Sequence, residues 1–171
     1  MDHPELQRRF GALTTAHLAD ACLRARVPLR CAFLHAVVPG SRLAGRVAPA
    51  RHVGSVDIFL EVLEGAGPGD VLVVDNGGGG GQRVGECTVT GADLVLGDDD
   101  GVLFVPAARA AELFTIAEAI RDTERRQADQ IRAGVPLRRQ LQFDRYLARR
   151  EQTPSLSFRD HLRVVGGAIE E

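Results

Sequence analysis

Asn76 is followed by five consecutive glycines at 77–81, and this run constrains the fold more than any other stretch. Glycine loses more backbone freedom on ordering than any other residue, so such a run does not belong inside a helix or strand. The chain must therefore be built on either side of it. Just before it, residues 67–70 (GPGD) predict a turn, and 71–74 (VLVV) a short apolar strand of the buried-sheet kind. After it, 84–90 read as strand, ending in CTVT at 87–90. DLVL at 93–96 and VLFV at 102–105 read as two more, with Asp98-Asp99-Asp100-Gly101 as the turn between them.

Two roles for the run stay open. Successive backbone N–H groups can form a nest around a phosphate or carboxylate, or the run is a flexible connector. A P-loop places Lys and Ser/Thr after its last glycine, whereas Gln82-Arg83 follows here. A dinucleotide fingerprint needs a helix directly after its glycines, and here a strand follows.

Helical and strand periodicities fill out an α/β pattern. Residues 4–26 read as helical, with Leu13, Leu18, Ala21, Cys22 and Ala25 on one face, Thr14 or Thr15 as a cap and Pro28 as the stop. Residues 42–50 read as a strand. Residues 55–63 read as a helix with Val56, Phe59, Leu60 and Leu63 on one side. Pro106 opens a long helix over 107–132 with Glu and Arg on its exposed side, broken by Gly134 and Pro136. A second, basic helix is predicted over 137–150, and Phe158, Leu162 and Val165 of the tail are docking residues. Residues 1–106 are thus read as an α/β domain. Residues 107–171, too polar to make a core by themselves, are read as a helical arm on that domain or on a neighbouring subunit.

Composition narrows the function classes. Of 171 residues 44% are hydrophobic, 26% are charged, and the formal net charge is -2, so bulk electrostatics point to no nucleic-acid partner. Aromatics make up 5% with no Trp, a poor basis for base stacking. No apolar run reaches bilayer length, and residues 1–10 hold no apolar stretch of the signal-peptide kind. The three cysteines, Cys22, Cys31 and Cys87, are too few and too scattered for a disulfide framework or a zinc cluster. A cytoplasmic setting is expected.

Chemistry-bearing residues are sparse. The Asp98–Asp100 carboxylates are of a type that binds divalent cations, but the EF-hand pattern is missing, and hairpin geometry accounts for these residues. His3, His17, His35, His52 and His161 form no pair at ligand spacing, and His17 is read as a structural residue of its helix. No G-x-S-x-G motif and no cysteine with a sequence-evident partner marks a nucleophile. No catalytic residue is assigned.

Several segments resemble the RraA-like family, which includes 4-hydroxy-4-methyl-2-oxoglutarate aldolases, oxaloacetate decarboxylases and the regulator of RNase E. They are TTAHLADACLR at 14–24, HVGSVDIFLE at 52–61, PGDVLVVDNGG at 68–78, DDDGVLFVP at 98–106 and the tail FRDHLRVVGGAIEE at 158–171. The resemblance implies an α/β fold of swivelling β/β/α type, a homotrimer, and a divalent metal (Mg²⁺ or Mn²⁺). It further implies metal-dependent retro-aldol cleavage or decarboxylation of 2-oxo diacids to pyruvate. Asp75, Asn76, Gly77 and Gly78 match the family's substrate side. In the family a helix follows these glycines, and then a strand ending in an Arg-Asp pair that holds substrate and metal. Neither is found here. Gly85-Glu86 leads into the later strands, and Arg121-Asp122 lies in the long helix. The pattern implies an internal deletion between Gly81 and Gln82, a fold truncated in its middle, and a chain whose lyase activity is impaired. An interaction module of the RNase E regulator type, or a small-anion binder, are the alternatives.

Overall fold

The apolar runs at 71–74, 93–96 and 102–105 form strands of one sheet in the computed structural model, which describes residues 1–32, 34–52, 54–76, 83–84 and 86–166. The chain forms two units, Met1–Glu118 and Ala119–Glu171. In the first, the strands are β1 (Cys31–Ala32), β2 (Leu43–Arg51), β3 (Val71–Asp75), β4 (Arg83–Val84), β5 (Cys87–Thr88), β6 (Asp93–Asp98) and β7 (Gly101–Pro106). Among the described residues the main sheet has the order β1-β7-β6-β2-β3, and β4 and β5 make a separate hairpin.

The β6–β7 hairpin pairs Asp98 with Gly101, so Asp99 and Asp100 are its two-residue turn. Gly101 takes φ 132, a conformation that side chains resist. β2 runs antiparallel to β6 and parallel to β3. A parallel pair needs a crossover, supplied by the helix Asp57–Gly65 (α3). The predicted buried strand at 71–74 thus sits at the sheet edge, and all four of its residues are only half-buried.

Register sorts the side chains onto two faces. Leu94, Leu96, Leu103, Val105 and Ala44 share one face and are almost fully buried. Helices α1 (His3–Gly11) and α2 (Thr15–Arg24) lie against these strands, burying Leu6, Phe10, Leu18, Ala21 and Cys22. On the opposite face Ala32, Val47, Val95 and Phe104 cluster with Val84 of β4 and with Val89, so the small hairpin covers that side.

The single helical region predicted over 4–26 is two helices. The break at 12–14 is held by Arg42, whose guanidinium donates to the carbonyls of Phe10 and Leu13 and lies 4.6 Å from the Phe10 ring centroid. Thr14 then caps α2, with His17 Nδ1 accepting the Thr14 N–H at 3.0 Å in a reciprocal capping arrangement. α2 stops before Pro28, where Arg26 turns left-handed at φ 54.

A 3-10 turn at Ala107–Arg109 leads into α4 (Ala110–Arg132), whose residues from Ala119 onward belong to the second unit. That unit also holds α5 (Leu137–Gln140), α6 (Phe143–Gln152) and α7 (Phe158–Val165). The helix predicted over 137–150 is interrupted because Gln142 adopts φ 48. Although this third of the sequence reads as too polar for a core, it buries Leu141, Tyr146, His161 and Leu162. The Tyr146 ring lies 5.0 Å from Phe158 and 5.5 Å from His161, so two tail residues pack within the unit itself. Among the described residues, no helix is long and apolar enough to cross a membrane.

Candidate functional site

Parallel pairing places two distant sequence segments side by side at the C-terminal ends of β2 and β3, the usual position of ligand sites beside parallel strands. Arg51 and Asp75 are register partners, and the His52 N–H donates to the Asp75 carbonyl at 2.9 Å, extending the ladder by one residue. Asp75 is 6% exposed, and its Oδ2 accepts the Arg83 N–H at 2.9 Å, fixing the start of the small hairpin to the end of β3. The His52 ring stacks on Phe59 of α3, 5.2 Å between centroids. Asn76 is exposed directly beyond β3. Gly77 and Gly78, also expected on the substrate side, lie outside the described residues, as do Gly81 and Gln82. Asp75 and Asn76 are therefore placed together, and Arg51 joins them.

Arg51 is the residue that sequence reasoning missed. Its Nε is buried and has no hydrogen-bond partner among the described residues. Other partly buried arginines are engaged: Arg9 with Glu118 at 2.7 Å, Arg30 with Asp93 at 2.6 Å, and Arg42 with the Phe10 and Leu13 carbonyls. The strand end offers a cation, a carboxylate and a carboxamide, a set suited to holding a small polar ligand. Among the described residues it contains no nucleophile paired to a base.

The other expected candidates have structural roles. Asp98 accepts the Thr15 N–H at 2.8 Å and the Thr15 hydroxyl at 2.6 Å, so its charge sits at the N-terminus of α2. Asp99 accepts the Gly40 N–H at 2.9 Å. Asp93 is buried. Burial pushes its carboxyl up, but the Arg30 guanidinium and the Thr90 N–H and hydroxyl outweigh this and hold it below the usual carboxylate range. Arg121 and Asp122 pair with each other at 2.7 Å along α4. Gly85 lies outside the described residues, and Glu86 is exposed in the β4–β5 turn.

The three thiols are free. Burial pushes Cys22 up to about 11 and also raises Cys31, with Cys87 adding to the effect, so neither is a ready thiolate. His161 is fully buried, with Nε2 2.9 Å from the Leu141 carbonyl. That contact requires the proton on Nε2 and leaves a buried lone pair on Nδ1 with no partner. Among the described residues no group of three or more His, Cys, Asp or Glu side chains is placed to hold a metal ion.

No family model and no curated protein matches the chain. Solved structures do. An uncharacterized protein from Pseudomonas syringae pv. tomato superposes with a TM-score of 0.62 at 20% identity, over 77% of this chain and 94% of that one. A structure described as a novel cellulase from gut-associated microbes gives 0.60 at 17% identity, over 74% and 88%. An unusual member of the RNase ES inhibitor RraA protein family from Streptomyces coelicolor gives 0.55 at 18% identity, over 71% and 94%. The mixed α/β architecture is the RraA-like fold.

Proposed function

We propose that this chain is an RraA-family protein that keeps the scaffold of a 2-oxo diacid lyase, binds a small 2-oxo acid at the ends of β2 and β3, and turns it over weakly or not at all. One observation carries the reading. Only residues 76–82 separate the end of β3 from β4, and the Arg83 N–H closes back onto the Asp75 carboxylate. The helix and Arg-Asp strand implied by the resemblance have no counterpart among the described residues. The two Arg-Asp neighbour pairs of the described residues, Arg121-Asp122 on α4 and Arg159-Asp160 on α7, both lie in helices, and Arg121 and Asp122 pair with each other. An internal deletion at the glycine run accounts for both facts. A divalent metal is implied by the resemblance alone. The described residues do not fit it, since none of their carboxylates and imidazoles cluster as a ligand set. A cytoplasmic homotrimer belongs to the same proposal.

Calorimetric titration with pyruvate tests the binding half of this reading. Saturable binding in the presence of EDTA is expected; no heat at millimolar pyruvate would count against the strand-end site.

A second reading, a non-catalytic interaction module, draws on α3. Leu60 is 70% exposed and Leu63 51%, and Val56 just ahead of the helix is 68% exposed. These residues form one apolar stripe on a helix that buries nothing fully.

A further inference from the structure

We infer that Arg51 is the anion-holding residue at the ends of β2 and β3, donating its Nε–H to a carboxylate oxygen of a small acid. The inference rests on the reading of the strand ends as a small-acid site and adds the group that does the holding. Buried polar groups are almost always paired, and a buried donor without an acceptor lowers stability. Arg51 Nε is such a donor among the described residues, while Arg9 donates its Nε–H to Glu118 and Arg30 and Arg42 donate through their terminal NH2 groups to Asp93 and to the Phe10 carbonyl. Its position matters as much as its unmet bond. It stands at the C-terminal end of a strand in the parallel pair, opposite Asp75 in register. A ligand oxygen would supply the missing acceptor, and the planar guanidinium matches a carboxylate edge better than an ammonium does.

The surroundings leave Arg51 as the group for that task. Asp75 commits Oδ2 to the Arg83 N–H, which anchors the hairpin. His52 donates its backbone N–H to the Asp75 carbonyl, and its ring lies on Phe59. Asn76, exposed one residue past β3, brings a carboxamide as a second donor. A side chain kept for a ligand should contribute little to the empty fold. Arg51 is therefore expected to be replaceable without loss of stability when no anion is present.

Thermal unfolding with oxalate as the probe, at constant ionic strength balanced with sodium chloride, separates the outcomes. The wild-type Tm should rise by several degrees at saturating oxalate. Arg51→Met should match or exceed the wild-type Tm without oxalate and show no rise with it. Arg51→Lys, which keeps the charge but not the Nε–H, should lose most of the rise. A wild-type rise that persists in Arg51→Met would overturn the role of Arg51 and leave the small-acid reading intact. A wild-type protein indifferent to oxalate would overturn both. A sharp fall in the Tm of unliganded Arg51→Met would assign Arg51 to the core instead.

Discussion

At the scale of single residues, several charged side chains hold backbone in place, among them Asp98 at the start of α2 and Arg42 at the break between α1 and α2. Asp93 shows the energetics. Its carboxylate accepts from Arg30 and Thr90 at the turn leading into β6, and its pKa is depressed in the fold. A depressed carboxyl stabilises the native state above its unfolded pKa of about 3.9, and that contribution is lost as pH falls through the folded value. Asp93→Asn should cost on the order of 1–3 kcal/mol near neutral pH, from the loss of charge-assisted hydrogen bonds. Its urea midpoint should fall less steeply with acidification than the wild type's; parallel curves below pH 4 would contradict this. Asp75 and Asn76 were candidates in the sequence only through the family resemblance of PGDVLVVDNGG. Arg51 was no candidate, because only parallel pairing and register bring it beside Asp75.

At the scale of elements, apolar runs located β3, β6 and β7, while shorter signals failed. β1 has two residues, too few to carry a period, and it exists because β7 offers it a partner. The break between α1 and α2 was hidden because Leu13 continues the apolar spacing through it, and the arginine that holds it lies far along the chain. The break before α6 needs a left-handed Gln142, a conformation more often signalled by glycine or asparagine. α3 has the expected periodicity, and Val56, Leu60 and Leu63 of its apolar side face outward. Leu60→Ser tests the meaning of that stripe. If α3 is a contact between copies, the variant should lose the oligomer mass seen for wild type by light scattering while its unfolding stays cooperative. An unchanged mass would remove α3 from any such contact. Truncating this exposed leucine should alter monomer stability by no more than about 0.5 kcal/mol.

At the scale of the whole molecule, scaffold and chemistry part company. The helix-backed sheet face and the small hairpin on its other side give a core in the first unit that does not depend on the Arg-Asp block the resemblance leads one to expect. The fold was legible because its landmarks, the capped TTAHLADACLR helix and the DDDGVLFVP hairpin, are local patterns whose geometry follows from capping and turn chemistry. The compact helical second unit was not, because its core is a small ring cluster assembled from α6 and α7. A fold licenses no activity by itself, which must come from groups at the site. The most direct test is pyruvate release from oxaloacetate and from 4-hydroxy-4-methyl-2-oxoglutarate with Mg²⁺ or Mn²⁺, beside an EDTA control and a metal-only blank. A cooperatively folded protein is predicted to release pyruvate no faster than the metal-only blank. EDTA-sensitive turnover well above that blank would contradict the account and show that other residues complete a working lyase site.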